Sequence, residues 1–123
     1  MNKTETGRLG ENAISEYLSA RGYRIICRNY RIKGGEIDII ASKDDFIAFV
    51  EVKTRRPDSL ESGFDAVNQK KRNFIIKTAI DYILKYPSEL QPRFDIASVI
   101  ALNGKVLDIN YIKNAYDATG YNF

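Results

Sequence analysis

The fold is decided by Gly35-Glu36-Ile37-Asp38-Ile39-Ile40 together with Phe49-Val50-Glu51-Val52-Lys53. Both segments are rich in β-branched and aromatic residues, which predicts two strands, and residues 41–45 predict a hairpin turn between them. A two-residue turn at Asp44 and Asp45 places Asp38 opposite Glu51 and Glu36 opposite Lys53. A symmetric four-residue loop gives the same pairing, whereas a loop of odd length shifts it.

The hairpin is expected to have one polar and one apolar face, because side chains alternate along a strand. The polar face carries Glu36, Asp38, Glu51 and Lys53, and the apolar face carries Ile37, Ile39, Val50 and Val52. Two carboxylates at opposite positions repel each other, and an unpaired buried carboxylate costs still more. A divalent cation would remove this conflict, since Mg²⁺ binds oxygen ligands, often one or two carboxylates together with substrate phosphates.

Asp38, Glu51 and Lys53 are therefore candidate catalytic residues for phosphodiester hydrolysis. A metal held by the two acids would activate a water and screen the phosphate charge. The lysine would orient the nucleophile or stabilise the developing negative charge. The alternative is that Glu51 and Lys53 are ordinary strand residues in contact with solvent and that Asp38 is tolerated in the strand.

At these residues the chain resembles the YraN-like proteins, which are small bacterial endonuclease-like proteins of the PD-(D/E)xK nuclease superfamily. The resemblance includes residues 35–38 and 49–55, and further matches follow in order at 7–13, 93–95 and 112–116. It implies a restriction-endonuclease-like α/β fold and a metal-dependent nuclease that uses Mg²⁺, with Mn²⁺ as an alternative. Nucleic acid, with DNA expected over RNA, is the implied partner.

The resemblance also implies a ligand set for the metal, consisting of Glu11, Asp38, Glu51 and the carbonyl of Val52. Spacing alone does not decide whether Glu11 is a metal ligand. A carboxylate at the edge of a helical apolar stripe either extends to water or points at a positive group. In YraN-like and resolvase-like proteins a later helix carries a lysine followed by a glutamine. Here Lys70 matches the lysine and Lys71 stands at the glutamine position, so the polar contact of that glutamine stays open.

Basic residues supply candidate contacts to a nucleic-acid backbone. Clusters occur between residues 21 and 33, at 53–56 and at 70–72, and the net charge is +3. Such clusters near a metal site would guide a polyanion into it, although each alone is equally typical of a solvated surface. The candidate contacts are Arg31, Arg55, Lys70 and Lys71, with Glu36 and Gln69 in supporting positions.

The 123 residues predict one domain, with a loose tail at about 117–123. The chain contains no histidine, which excludes Ser-His-Asp catalysis, His-ligated zinc and histidine general bases. Cys27 is the single cysteine, so no intramolecular disulfide forms, and a reducing cytoplasm is expected. Residues 1–6 are polar and contain no apolar signal region, so export is not expected. No apolar run is long enough to span a membrane, so membrane insertion is not expected either.

The predicted element order is α-β-β-β-α-β-β. Helices are predicted at 5–21 and 65–86, strands at 23–31, 35–40, 49–53, 93–102 and 106–112, and a substrate-covering loop at 54–63. The second helix has an apolar stripe whose backward extension turns Lys70 and Lys71 inward; the stripe comprises Val67, Phe74, Ile75, Thr78, Ala79, Tyr82 and Ile83. Asp95 is either a further acid of the site or the partner of Arg93, and the local pair is the simpler interpretation.

Two other functions stay open at this stage. A non-catalytic nucleic-acid-binding module would keep the basic clusters, but it gains nothing from Asp38 beside Glu51 unless a cation intervenes. A protein-interaction subunit would need a large apolar surface patch. The sequence leaves the form of the substrate open, and a homodimer would suit cleavage of a two-fold junction.

Overall fold

The computed structural model describes residues 3–59 and 68–119. Its elements follow in the predicted order: α1 (Lys3–Ala20), β1 (Arg24–Ile32), β2 (Gly35–Lys43), β3 (Phe46–Arg55), α2 (Gln69–Lys85), β4 (Gln91–Leu102) and β5 (Lys105–Tyr116). The strands form one mixed sheet in the order β1-β2-β3-β4-β5. The β3–β4 pair is parallel and the other three pairs are antiparallel, which confirms the predicted α/β class and strand order.

The central hairpin has the predicted register. Asp44 and Asp45 form its turn, Asp44 adopts a φ of 53°, and Lys43 pairs with Phe46. The ladder between β2 and β3 then continues as far as Ile39 and Val50. One residue further, the same register brings Asp38 level with Glu51. At this point the Asp38 side chain replaces the backbone as acceptor, because its Oδ2 atom accepts a hydrogen bond from the Val52 amide at 2.7 Å.

The sheet has a core on each face. Helix α1 covers one face, where Ile39 and Val50 are fully buried, and α2 covers the other, where Ile37 and Phe49 are buried. The prediction that Ile37 shares a face with Ile39 is therefore wrong. The alternation of side chains is interrupted at Asp38, where β2 leaves the β3 ladder.

Two glycines bring the helices into direct contact with the sheet. A methyl group on Gly10 of α1 would overlap the hydroxyl of Thr54 on β3, and one on Gly35 of β2 would overlap the hydroxyl of Thr78 on α2. The Thr78 hydroxyl donates a hydrogen bond to the carbonyl of Phe74 at 2.7 Å, so its position is fixed. The two helices consequently lie closer to the central strands than any side chain would allow.

Helix α2 begins at Gln69, where Asn68 is the N-cap and its side chain accepts a hydrogen bond from the Lys71 amide at 3.0 Å. The predicted start at 65, including Val67 of the stripe, falls outside the described residues. The buried residues of the helix are Ile75, Ile76, Thr78, Ala79 and Tyr82. Phe74 is 43% exposed, so its assignment to the core was wrong, and the sequence interpretation missed Ile76.

Asp95 belongs to the scaffold. It is fully buried and accepts hydrogen bonds from the Arg93 guanidinium, the Tyr111 hydroxyl and the Asn114 amide. The β4–β5 register shifts at this point, and the carboxylate takes the place of the missing ladder acceptor. The predicted Arg93–Asp95 pair is thereby confirmed.

Several predicted boundaries change in the structure. Residues 54 and 55 extend β3, and residues 60–63 of the predicted loop lie outside the described residues. Of the predicted tail, 117–119 are described, Ala118 packs against the α2-side core, and 120–123 are outside. Within the described ranges, neither helix has the length and apolar character needed to cross a bilayer.

Candidate functional site

One open cleft, with a volume of about 680 Å³, collects most of the predicted site residues. Helix α1 contributes Glu11, β2 contributes Asp38, β3 contributes Glu51, and α2 contributes Lys71. The further predicted residues along the cleft are Arg31, Glu36, Val52, Lys53 and Arg55. Four elements from distant parts of the chain thus meet where β2 and β3 part.

Asp38 is held in an environment that opposes its charge. Burial and the neighbouring charge of Glu51 raise the pKa of Asp38 to about 8, although the hydrogen bond from the Val52 amide favours the ionised form. A hydrogen bond with the Glu51 carboxyl group acts in the same direction as burial. The two carboxyl groups therefore lie close together, and the charge of Glu51 opposes the ionisation of Asp38.

Glu51 is buried, with 7% of its surface exposed, and Lys71 neutralises it. The Lys71 Nζ atom lies 2.9 Å from Glu51 Oε1. Burial works against the charge of Lys71, but the hydrogen bond and charge of Glu51 outweigh it, so the pKa of Lys71 is raised. The charges of Asp38 and Glu36 contribute in the same sense. Lys71 thus counters the negative potential of the cleft.

Glu11 reaches the cleft from α1 and has a buried oxygen, Oε1, with no hydrogen-bond partner among the described residues. The pKa of Glu11 is raised, chiefly by burial and further by the charges of Glu36 and Glu51. The charge of Arg28 and a hydrogen bond with Asn29 act in the opposite direction. Of the two alternatives left by spacing, the second is closer to the structure, since Glu11 lines the cleft and the charge of Arg28 acts on it. A buried acceptor without a donor, across a cleft from two other acids, is a position that suits a cation.

Lys53 and the Val52 carbonyl face the same cleft from β3. Lys53 follows Glu51 by two residues, so the alternation of the strand places both side chains on one face. The amide and carbonyl of one strand residue point to the same side. The carbonyl of Val52 is therefore directed toward β2, as its amide is, because that amide donates to Asp38.

The candidate metal-ligand atoms of the cleft, from three carboxylates and the Val52 carbonyl, are all oxygens. Such a set fits a hard divalent cation such as Mg²⁺. Within residues 3–59 and 68–119, no three acidic, histidine or cysteine side chains are already gathered as a metal-binding group. One oxygen of Glu51 is bound by Lys71, and one of Asp38 by the Val52 amide. The fit to a cation rests on the unpartnered oxygen of Glu11 and on the all-oxygen donor set.

The basic and supporting residues divide into two groups. Arg31 and Arg55 line the cleft; Arg31 pairs with Glu36 at 3.2 Å, and the Arg55 Nε atom is buried without a partner in the described chain. Lys70 is exposed and lies off the cleft, so the prediction that it turns inward with Lys71 was wrong. Gln69 donates to Asn73 at 2.8 Å on the helix surface and does not reach the cleft either.

Sequence reasoning missed a second polar cavity of about 320 Å³ between α1 and β1. Arg8 and Arg28 line it, and it shares Glu11, Asn29 and Arg31 with the cleft. Asn29 has a φ of 55°, a backbone conformation that asparagine tolerates better than most residues. The sequence shows the two arginines, Arg8 on α1 and Arg28 on β1, but it does not show that they lie together. Only the packing of α1 against β1 brings them into one cavity.

The fold and the cleft define a mixed α/β protein with an acidic, cation-rimmed pocket where the central hairpin opens. The chain matches the profile described as "Uncharacterised protein family UPF0102" over residues 10–99. It is 45% identical over 120 residues to a UPF0102 protein of Dictyoglomus thermophilum, covering 94% of this chain and 100% of the relative. A UPF0102 protein of Alkaliphilus metalliredigens is 50% identical over 111 residues, covering 89% and 96%.

The chain therefore belongs to the UPF0102 family, the family of the YraN-like proteins, which confirms the resemblance. A third relative from Caldicellulosiruptor saccharolyticus, also named a UPF0102 protein, is 42% identical over 120 residues, with 94% of this chain and 100% of the relative covered. The matched residues 10–99 include every acidic residue of the cleft.

Proposed function

We propose that this protein is a metal-dependent phosphodiesterase that cleaves nucleic acid, DNA in the first instance, on a restriction-endonuclease-like fold. The observation that carries the proposal is the meeting of Asp38 and Glu51 in one cleft, with Lys53 beside them and Glu11 across from them. Such an arrangement is costly in a purely structural protein, because the buried acids repel each other.

In this proposal Glu11, Asp38, Glu51 and the Val52 carbonyl would hold Mg²⁺ or Mn²⁺, which supplies a polarised water and charge neutralisation when bound. Lys53 orients the attacking water toward the phosphorus and donates hydrogen bonds to the oxygens on which charge develops. Arg31, Arg55 and Lys71 hold the flanking phosphates. A cytoplasmic location belongs to the same proposal.

The test is cleavage of labelled linear duplex, single-stranded and four-way-junction DNA, and of RNA, with Mg²⁺, Mn²⁺ or EDTA. The wild type is compared with Lys53→Ala and with Lys105→Ala, an exposed lysine of β5 that lies off the cleft. We expect metal-dependent cutting by the wild type and the control, and a loss of at least about 100-fold in Lys53→Ala with affinity nearly retained.

Binding of these substrates by the wild type without cutting in either metal would reject the proposal in favour of the non-catalytic module. The Lys71–Glu51 pair is the observation that would suit that alternative, since it neutralises Glu51 without a metal. Equal cutting by Lys53→Ala would reject the role given to Lys53.

The arginine-lined second cavity predicts the path of the substrate beyond the cleft. Arg8 and Arg28 are exposed and have no ion pair within the described ranges, so they are available to a phosphate backbone. We expect the double variant Arg8→Gln/Arg28→Gln to reduce the salt dependence of duplex binding by about 1.8 in log–log slope, about 0.9 for each lost contact.

The matched control is Arg24→Gln, also exposed on β1 but within the charge influence of Tyr82 on the α2 side. Fluorescence anisotropy from low to moderate salt, without divalent metal, measures the slope. A double variant with the slope of Arg24→Gln would show that the backbone does not pass through this cavity.

A further inference from the structure

The Lys71–Glu51 ion pair differs from the surface ion pairs of the protein. The Glu51 side chain is 9% exposed and that of Lys71 is 41% exposed, whereas Arg56 and Asp58, which also pair, are 69% and 75% exposed. Lys71 reaches this position from the first turn of α2, where its own amide is fixed by the Asn68 cap. Its flexible stem can therefore move without any change in the helix.

The position of the ammonium coincides with the need for positive charge in the cleft. Glu51, Asp38 and Glu36 all favour the charged form of Lys71. Among the ion pairs of the described chain, Lys71 is the one cation within 4 Å of Asp38 or Glu51. A divalent cation bound by Glu51 and Asp38 would compete for the same oxygen, and two positive charges at that distance repel.

We propose that Lys71 is the internal counter-cation of the acidic cleft: it holds Glu51 when no metal is present, gives Glu51 up to a divalent cation, and then binds a phosphate of the nucleic acid. The inference rests on the proposed function, since it requires the metal site described above. Metal binding releases the ammonium, and a phosphate gives it a new partner. Metal and nucleic acid therefore favour each other's binding, as linkage requires of any such exchange.

Lys71→Met tests this exchange, because methionine removes the ammonium and keeps an unbranched stem. Titration calorimetry with Mn²⁺ alone should show roughly tenfold tighter binding by Lys71→Met than by the wild type, since the metal no longer displaces a cation. Lys70→Met is the matched control: the same change at the exposed neighbour should leave Mn²⁺ affinity at the wild-type value. Lys71→Gln also removes the charge, should show the same gain, and replaces Lys71→Met if that variant folds poorly; Lys71→Arg, which keeps the charge, should stay near wild type.

Duplex DNA affinity with Ca²⁺ and with EDTA is the second measurement. The gain in DNA affinity caused by Ca²⁺ should be several-fold smaller in Lys71→Met than in the wild type and in Lys70→Met. In Lys71→Met the metal has no ammonium group to displace from Glu51, so no ammonium becomes available to a phosphate. Unchanged or weaker Mn²⁺ binding by Lys71→Met, with a wild type that binds Mn²⁺, would overturn this inference and leave the proposed function standing. A wild type that binds neither Mn²⁺ nor Ca²⁺ would overturn both.

Discussion

Asp38→Asn is expected to abolish cleavage and at the same time to stabilise the metal-free protein at pH 8. The asparagine keeps an acceptor for the Val52 amide, so the hydrogen bond at the end of the ladder survives. It removes a carboxylate that burial and Glu51 hold near a pKa of 8. A site that loses one of its acids should lose cleavage by about 1,000-fold or more, since the charge on the cation ligand is no longer present.

The stability change has a defined pH dependence. The pKa of Asp38 is raised from 3.8 to about 8 in the folded state, so the folded protein retains this proton more firmly than the unfolded chain. The wild type is therefore unaffected near pH 4 and below, and loses stability as the pH rises through 8. Asp38→Asn escapes this loss. We expect it to match the wild type at pH 4 and to exceed it by about 2 kcal/mol at pH 8, allowing for solvent screening.

Denaturant unfolding at several pH values, with EDTA, measures this difference. Addition of Mg²⁺ or Mn²⁺ at pH 8 should then stabilise the wild type and leave Asp38→Asn unchanged, because only the wild type retains both acids. A variant less stable than the wild type at pH 8 without metal would show that Asp38 serves the fold and not a cation.

Asp95→Asn is expected to destabilise the protein by about 3 kcal/mol. The Arg93 side chain is 11% exposed and depends on Asp95 for its counter-charge, so its guanidinium would stay buried and unpaired. Burial, the charge of Asp95 and its hydrogen bond raise the pKa of Tyr111, so that hydroxyl stays a donor to this carboxylate. Removal of the negative charge weakens the links of β4 to Tyr111 and Asn114 together.

The chain contains a matched control, because Arg56 and Asp58 have the same two-residue spacing on the surface. Asp58→Asn should change the free energy of unfolding by less than about 0.5 kcal/mol. Urea unfolding of both variants against the wild type makes the comparison. A loss below about 1 kcal/mol in Asp95→Asn would show that Arg93 and Asp95 do not depend on each other.

The two aspartates show which part of the site was open to prediction. Asp38 and Asp95 both accept a backbone amide where a ladder is broken, from Val52 and Asn114 respectively. Arginine two residues earlier identified the partner of Asp95 from the sequence. Asp38 was marked as a candidate ligand by the register that a turn at Asp44 and Asp45 sets, since it places Asp38 opposite a second acid, Glu51, and by the family resemblance.

The wrong predictions have two kinds of physical cause, one local to a helix and the other dependent on contacts between distant parts of the chain. Residues four apart lie on the same face of a helix, so Lys70 shares its face with Phe74 and Lys71 shares its face with Ile75. Phe74 is exposed and Ile75 is buried, so the inclusion of Phe74 in the stripe led to the wrong placement of Lys70. The interruption of alternation at Asp38 and the cavity beside Arg28 follow from long-range packing, which no local pattern encodes.

The contacts of Gly10 with Thr54 and of Gly35 with Thr78 have a consequence for how ion selectivity could change. These contacts hold Glu11 and Lys71, on opposite walls, at the separation the cleft requires. A side chain at Gly10 would move α1 and Glu11 outward while Asp38 and Glu51 stayed in place, and one at Gly35 would move α2 and Lys71. If the cleft binds the proposed cation, its preference between a smaller and a larger ion would therefore change through Gly10, which does not line the cleft, because only the thickness of the layer between α1 and the sheet sets the position of Glu11.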